Sequence, residues 1–215
     1  MSERISNDKQ KIGILGGTFN PIHIGHLILA EQARSEFSLD KVILMPSGVS
    51  YFKKDLKVLP AETRYEMTAI ACKDNPYFCV SDMEIRRKGN TYTADTIQEL
   101  KKQSPDTHYY FIIGADTLLQ METWYHPELI FDSCTVLCAV RDKLTPEELQ
   151  AKKKELVTKY NADIEFLHTT NLEISSKMLR NMVLSGHSIR YYVTDEVLQY
   201  IEEHNLYQQS DKDGL

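Results

Sequence analysis

Apolar and polar positions along the chain follow two alternating patterns. Short apolar runs recur, and longer segments between them repeat apolar residues every three or four positions. The short runs are typical of strands buried on both faces, and the longer segments are typical of amphipathic helices. This alternation predicts an α/β fold in which helical crossovers join the strands of a mostly parallel sheet flanked by helices.

Six apolar runs are predicted to form the strands of the sheet. They occupy residues 11–15, 41–45, 78–82, 109–113, 135–139 and 164–167. Residues 26–37 have helical spacing, with Leu27, Ala30, Ala33 and Phe37 on one face, and they close a first βαβ unit.

Capping signals predict a second well-defined helix over residues 146–160. Thr145 is suited to the N-cap, Pro146 to the first helical position, and Glu148 follows the cap by three residues. The run from Lys152 to Lys154 is expected to be a solvated face. Further helices, near residues 176–184 and 194–204, should pack at the carboxyl edge of the sheet, where open α/β sheets bind ligands.

Length and charge narrow the class of protein. The 215 residues predict a single domain over residues 11–207, with polar, mobile ends at residues 1–10 and 208–215. A net charge of −6 gives no global attraction to nucleic acid or to an anionic membrane. With no long apolar stretch and no signal-peptide core, the chain is expected in the cytoplasm, without a membrane partner.

Four cysteines are expected to be buried free thiols. Cys72, Cys79, Cys134 and Cys138 form no CxxC pair. Four residues along one strand separate the last two by roughly 13 Å, which is too far for one zinc ion.

The run GGTFNPIHIGH, from Gly16 to His26, is the strongest indication of chemistry. Gly16 and Gly17 let the backbone approach an anion, and a helix predicted to start at His26 adds N–H groups and a positive dipole end. His23 and His26 add donors whose charge can change near neutral pH. We therefore predict chemistry on a nucleotide phosphate, with a metal pair or ordinary loop histidines as alternatives.

A second anion-binding segment is predicted near the other end of the chain. The run ISSKMLR places Ser175 and Ser176 at a helix start and Arg180 one turn later. An ordinary capped surface helix with an exposed arginine is the alternative. The chain has neither a GxxxxGK[ST] segment nor a GxGxxG segment, so Walker-type hydrolysis and dinucleotide dehydrogenation lose support.

These segments resemble a known family. The first contains the HxGH signature of the nucleotidyltransferase superfamily, and its full form is similar to the bacterial nicotinate mononucleotide adenylyltransferases, which more often have Asp where Asn20 stands. The second is similar to that family's Ile-Ser-Ser-Thr signature, with Lys177 in place of the threonine. Residues 86–96, residues 111–116 and the pair Trp124 and Tyr125 also resemble family segments, in the same order.

The resemblance implies a Rossmann-like nucleotidyltransferase fold and an enzyme that joins ATP to nicotinate mononucleotide, releasing pyrophosphate. Mg²⁺ would arrive with ATP, without a fixed protein ligand. The implied site residues fall into three groups. The catalytic group is His23, His26 and Arg180; the ATP-binding group is Gly16, Gly17, Thr18, Phe19, Lys53, Gly114, Asp116, Ser175 and Ser176; the substrate-binding group is Tyr92, Thr93, Trp124 and Tyr125.

Several alternatives stay open at this point. Trp124 offers a broad ring for stacking a pyridine, or it is a core residue. Asp116 is expected either to accept a ribose hydroxyl or to cap the next helix, and Lys53 either reaches a phosphate or is a solvated loop lysine. Another acceptor, such as a pantetheine phosphate, and a noncatalytic nucleotide-binding or metal-binding regulatory protein are the competing functions. A homo-oligomer is also left open.

Overall fold

The computed structural model describes residues 9–48, 58–140, 145–170 and 172–208. Its strands are β1 (Lys11–Gly17), β2 (Lys41–Pro46), β3 (Phe78–Val80), β4 (His108–Gly114), β5 (Cys134–Val140) and β6 (Ile164–His168). They form one sheet in the order β3-β2-β1-β4-β5-β6, and every neighbouring pair is parallel. The predicted parallel α/β fold is confirmed, and the strand order reverses direction between β1 and β4, where such sheets bind ligands.

Helices connect these strands and cover both faces of the sheet. They are α1 (Ile24–Glu36), α2 (Ala61–Cys72), α3 (Met83–Arg86), α4 (Thr93–Gln103), α5 (Ala115–Leu118), α6 (Pro127–Phe131), α7 (Pro146–Tyr160), α8 (Ser176–Leu184) and α9 (Asp195–Glu203). A short 3₁₀ helix, Met121–Thr123, lies between α5 and α6. Within the described ranges, no helix is long and apolar enough to cross a membrane.

Most predicted bounds agree with the structure to within two residues. All six strands are present, α7 and α8 have the predicted bounds, and the predicted ends of α9, Thr194 and His204, are its two caps. The predicted start of α1 at His26 is wrong. His23 is the N-cap, and its carbonyl oxygen accepts a hydrogen bond from the His26 N–H at 2.9 Å, so Ile24 and Gly25 already belong to the first turn.

Alternate residues of the central strands feed two apolar cores, one on each face of the sheet. On β4, Phe111 and Ile113 belong to the core under α4, α6 and α7, whereas Ile112 belongs to the core under α1, α2, α8 and α9. This alternation follows from the two-residue period of a strand. Both faces are therefore covered, as a parallel sheet requires.

The cysteine prediction is confirmed for three of the four residues. Cys72, Cys134 and Cys138 are buried free thiols, and Cys79 is half-buried. Burial raises the pKa of the Cys72, Cys134 and Cys138 thiols to about 12. Since the thiolate is the reactive form, these side chains serve as small core residues.

Candidate active site

The two predicted anion-binding segments meet in the structure. Arg180, on α8, donates from Nη1 to the carbonyl oxygen of Asn20 at 2.7 Å. The Ser176 hydroxyl donates to the carbonyl oxygen of Pro21 at 2.8 Å. Segments 155 to 160 residues apart in sequence thus form one wall beyond the end of β1. We call this wall the motif junction.

The imidazole of His26 is held on two sides at the motif junction. The Phe19 ring meets it edge-on with a centroid distance of 4.9 Å, and the His23 ring stacks on it at 3.7 Å. The backbone N–H of His23 donates to His26 Nδ1 at 3.2 Å. Because Nδ1 accepts this bond, the ring proton lies on Nε2, which can donate to an anion.

The glycine between the two histidines has a steric reason. A methyl group at Gly25 would lie 3.1 Å from His23 Nδ1, which is tighter than ordinary packing. Gly25 therefore lets the buried His23 ring lie over the first turn of α1 and stack on His26. This accounts physically for the glycine of the HxGH pattern.

The paired glycines, which were predicted to let the backbone approach an anion, lie on a strand and not in a turn. Gly16 and Gly17 are the last residues of β1 and pair with Met45 and Pro46 of β2. A methyl group at Gly17 would lie 2.6 Å from the Phe19 ring, so the glycine is needed for Phe19 to fold back under the strand end. Phe19 is only 2 % exposed, so ATP contact there would have to come from its backbone.

A buried arginine holds the loop after β1 by binding backbone carbonyl oxygens. The sequence pattern did not reveal this residue. Arg64, on α2, is 2 % exposed and donates to the carbonyl oxygens of Thr18 and Ser47, each at 2.6 Å, and of Leu59 at 3.1 Å. Burial lowers the pKa of Arg64. Three chain segments beside the site are thus fixed by one guanidinium group.

Asn20 faces the protein interior. Its side-chain oxygen accepts from the Tyr207 hydroxyl at 2.9 Å and from the Leu59 N–H at 3.4 Å. Burial raises the pKa of Tyr207, while the nearby Arg180 and Arg64 guanidinium groups oppose that shift. Asn20 therefore joins two regions. Its side chain binds Tyr207 near the end of the described chain, and its backbone carbonyl oxygen binds Arg180.

A cavity of about 290 Å³ opens beside the end of β1. All four predicted substrate-binding residues line it, together with three of the predicted ATP-binding residues. The predicted residues are Tyr92, Thr93, Trp124, Tyr125, Gly16, Gly17 and Thr18; those that the sequence did not single out include Met45, Ser47, Glu84, Thr91, Thr96 and Phe111. We call this space the aromatic cavity.

One side of the aromatic cavity is built from stacked and crossed rings. Tyr92 and Tyr125 have ring centroids 4.4 Å apart, and the half-buried Trp124 meets Phe111 at 6.2 Å with its plane tilted by 68°. Trp124 therefore both packs on the core and borders the cavity. Tyr92 is also the N-cap of α4, without a side-chain cap bond, so the first N–H groups of α4 begin at the cavity wall.

The segment that carries Trp124 is fixed to α7 by two ion pairs. Glu122 accepts from Lys152 and, at 2.8 Å, from Lys159. These bonds lower the pKa of Glu122 to about 2. The prediction that the run from Lys152 to Lys154 is a solvated face is wrong for Lys152, because its side chain is only 13 % exposed.

The remaining predicted residues have more ordinary surroundings. Ser175 caps α8 and accepts from the Met178 N–H at 3.2 Å, as the capped-helix alternative expected. Gly114, and not Asp116, is the N-cap of α5; Asp116 is exposed in its first turn, and its contact with ribose stays a prediction. Lys53 lies outside the described residues.

Comparison with known proteins identifies the family. The Cytidylyltransferase-like family model matches residues 14–182. A protein of Lachnoclostridium phytofermentans named "Probable nicotinate-nucleotide adenylyltransferase" is 46% identical over 198 residues, covering 92% of this chain and 99% of its own. A protein of the same name from Thermoanaerobacter sp. is 39% identical, covering 95% and 98%.

The chain belongs to the nicotinate-nucleotide adenylyltransferase family. Its fold also matches Plasmodium falciparum nicotinic acid mononucleotide adenylyltransferase complexed with NaAD, with a TM-score of 0.76 at 19% identity, covering 92% of this chain and 97% of that one. The same enzyme complexed with APC gives a TM-score of 0.74 with the same coverage. The resemblance seen in the sequence motifs is confirmed.

Proposed function

We propose that this member of the nicotinate-nucleotide adenylyltransferase family transfers the adenylyl group of ATP to nicotinate mononucleotide, giving nicotinate adenine dinucleotide and pyrophosphate. The observation that carries the proposal is the position of the motif junction directly beside the aromatic cavity. Thr18 lines the cavity, and the chain then runs through Phe19 and Asn20 to Pro21, where α8 makes its contacts. One site can therefore hold a polyphosphate next to a flat aromatic ring.

The reaction needs positioning and charge stabilisation more than a base. A phosphate oxygen of nicotinate mononucleotide forms a bond to the α-phosphorus of ATP. The bond from that phosphorus to the bridging oxygen breaks, and pyrophosphate leaves with the electron pair. Because the nucleophile is already an anion, the protein has to align two negatively charged groups and meet the charge that spreads onto the leaving group.

The motif junction supplies the donors for this task. His26 is a fixed Nε2–H donor, and we assign it to the oxygens of the transferring phosphoryl group, with His23 beside it. Arg180 is assigned to the departing phosphates. Its Nη1 is already bonded to the Asn20 carbonyl oxygen, which aims the guanidinium group at the junction.

The aromatic cavity is assigned to the pyridine ring. Trp124 and Tyr125 offer apolar faces for a flat ring, and the first N–H groups of α4, near Tyr92 and Thr93, suit a carboxylate. Gly16, Gly17 and Thr18 line the cavity on the side where the chain continues to the motif junction, and we assign the ribose and phosphate to that side.

Mg²⁺ would enter with ATP under this proposal. Across the described ranges, no group of three or more His, Cys, Asp or Glu side chains could hold a metal ion. The proposal assigns the ion to phosphate oxygens and water. Such an ion supplies neutralisation of phosphate charge. The cytoplasmic location and the single-domain limits stay predictions, and the oligomeric state stays open.

Pyrophosphate release across a panel of acceptors tests the proposal. The purified protein is given ATP, Mg²⁺ and one acceptor at a time: nicotinate mononucleotide, nicotinamide mononucleotide or 4′-phosphopantetheine. We expect the highest kcat/KM with nicotinate mononucleotide. Turnover with 4′-phosphopantetheine alone would replace the proposal with the competing acceptor, and ATP binding without pyrophosphate release from any acceptor would favour a noncatalytic protein.

A further inference from the structure

The wall of the aromatic cavity contains one carboxylate that the proposed reaction does not use. Glu84, on α3, lines the cavity and is half-buried. Its carboxylate accepts from the Thr96 hydroxyl at 3.0 Å, and the Thr91 side chain and the Gly48 backbone N–H lie close enough to lower its pKa. Removing a carboxylate from water has a free-energy cost, which its polar neighbours offset by holding it in place.

The partners of Glu84 lie on both sides of the turn that begins α4. Thr91 precedes the N-cap Tyr92, and Thr96 follows it by about one turn, with the Thr96 N–H bonded to the Tyr92 carbonyl oxygen at 3.2 Å. Thr96 is buried, and its hydroxyl accepts from Arg87 Nη1 at 2.8 Å. The carboxylate therefore clamps the first turn of α4, because it is bonded to Thr96 after Tyr92 and lies beside Thr91 before it.

The exit of β2 is fixed to the same point. A methyl group at Gly48 would lie 2.3 Å from the Glu84 carbonyl oxygen, so the two backbones are in direct contact there. Ser47, one residue earlier, lines the cavity and is also held by Arg64. Glu84 is thus where three segments around the cavity meet: the end of β2, α3, and the first turn of α4.

Charge makes this arrangement relevant to the choice of substrate. Under the proposed function, the cavity takes a pyridine ring that carries a carboxylate, and a second carboxylate in its wall would repel that ring. The Thr96 hydroxyl donates to one Glu84 oxygen, and the nearby Arg87 guanidinium group offsets part of the negative charge. Burial raises the pKa of Glu84, and the Thr96 hydroxyl and the Arg87 guanidinium group oppose that shift.

We propose that Glu84 is a positioning residue that holds the first turn of α4 so that its N–H groups meet the nicotinate carboxylate, and that it thereby sets the preference for nicotinate over nicotinamide mononucleotide. The inference rests on the proposed function. It concerns geometry, since Glu84 itself donates nothing to the substrate. Loss of the clamp should weaken recognition of the carboxylate and leave the motif junction unchanged.

The test compares Glu84→Ala and Glu84→Gln with Glu99→Gln. Glu99, on α4, pairs with Arg87 at 2.6 Å but does not line the cavity, so it controls for disturbance of the same arginine. We expect Glu84→Ala to raise the KM for nicotinate mononucleotide by about tenfold, as a lost buried hydrogen-bond acceptor would. The KM for ATP should change less than about twofold, and the ratio of kcat/KM between the two mononucleotides should fall about tenfold.

Glu84→Gln keeps one oxygen acceptor and the shape of the side chain. It should recover part of the lost preference, and Glu99→Gln should keep all of it. Trp124 is the single tryptophan of the chain, so its fluorescence reports binding of each mononucleotide without turnover. If Glu84→Ala does not fold, this titration is carried out on a Thr96→Val variant, which removes the hydroxyl donor to Glu84.

Two results would overturn the inference. One is an unchanged ratio of kcat/KM between the two mononucleotides in folded Glu84 and Thr96 variants. The other is an equal rise of the KM for ATP and for nicotinate mononucleotide, which would mean a general structural role. A wild-type protein that makes no dinucleotide from either mononucleotide would instead contradict the proposed function, so the two failures are distinguishable.

Discussion

His26 shows how local backbone structure prepares a side chain for chemistry. Its Nδ1 accepts from the N–H of the helix N-cap, and its ring is stacked on His23 and against Phe19. An imidazole fixed in this way loses little rotamer freedom when it donates to a phosphoryl oxygen. Preorganised donors of this kind account for much of the barrier reduction in phosphoryl and acyl transfer.

Replacing His26 by alanine should lower kcat by about 10²- to 10³-fold, because one preorganised donor to the transition state is lost. The KM values should change much less, and the thermal unfolding midpoint should stay close to that of the wild type. Initial rates of pyrophosphate release and a melting curve measure both. His168→Ala is the matched control, since that side chain is 85 % exposed; near-normal turnover of His26→Ala would contradict the assigned role.

Site residues that stand in a local motif could be predicted from the sequence, whereas those defined by long-range contacts could not. His23, His26, Ser176 and Arg180 stand in compact local patterns, so they could be singled out. Arg64 could not, because a lone arginine in a helical segment looks like a solvated side chain until its three carbonyl partners are brought together by the fold.

Helix α2 and the end of the described chain hold the backbone that surrounds the site. Arg64 of α2 joins Thr18, Ser47 and Leu59, and Tyr207 joins the Asn20 side chain. Among the residues that the structure describes, the groups that accept from Arg64 are backbone carbonyl oxygens, so the planar fork of the guanidinium group matters more than its charge.

Arg64→Lys should therefore lower the free energy of unfolding by about 2–3 kcal/mol, since one ammonium group cannot reach three separated carbonyl oxygens. Urea unfolding at neutral pH measures this loss. The control is Arg34→Lys on α1, where the side chain pairs with Glu31 nearer the surface; it should cost less than about 1 kcal/mol. Equal small losses in both variants would show that the three-way contact is unimportant.

The link between α7 and the segment bearing Trp124 predicts a pH effect. The Lys152 and Lys159 ammonium groups lower the pKa of Glu122 from its ordinary 4.5 to about 2. A lowered pKa in the folded state contributes stability above the unfolded value, and this contribution is lost as the pH falls from about 4.5 towards about 2.

Glu122→Gln should therefore lower the free energy of unfolding at neutral pH. It should also make that free energy depend less on pH in the acid range. Unfolding free energies measured at several pH values give the comparison, with Glu202→Gln, exposed on α9, as the control. The ion pairs would be shown to contribute nothing if Glu122→Gln kept the acid dependence of the wild type.

The elements differ in how far the sequence could predict them. Strands and α7 were accessible because apolar runs, a capping box and an N-terminal proline are local signals. The helices α3, α5 and α6 have only four or five residues, too few for a helical period to appear. On α2, buried Arg64 and Thr68 interrupt the apolar face, and the true start of α1 was hidden because histidine is not a usual N-cap.

At the scale of the molecule, the sheet brings distant segments to one edge. The order β3-β2-β1-β4-β5-β6 places the switch point at β1 and β4, and the loop after β1 receives α8 from the far end of the chain. A net charge of −6 is thus compatible with an anion site, because the cationic groups Arg64 and Arg180 are gathered locally. The sequence motifs indicated that these two segments share one site. The contacts of Glu84 and of Tyr207 could not be predicted, because they join residues that are apart in the sequence, and neither Glu84 nor Tyr207 stands in a motif.

The central claim is that the α-phosphorus of ATP is transferred to a nicotinate mononucleotide phosphate. The most direct measurement follows two labels, one on the α-phosphate and one on the γ-phosphate of ATP, in reactions with and without nicotinate mononucleotide. The account predicts that the α label appears in nicotinate adenine dinucleotide and the γ label in an equal amount of pyrophosphate, only when both substrates are present. Release of the γ label as orthophosphate, or an α label that never enters a dinucleotide, would contradict it.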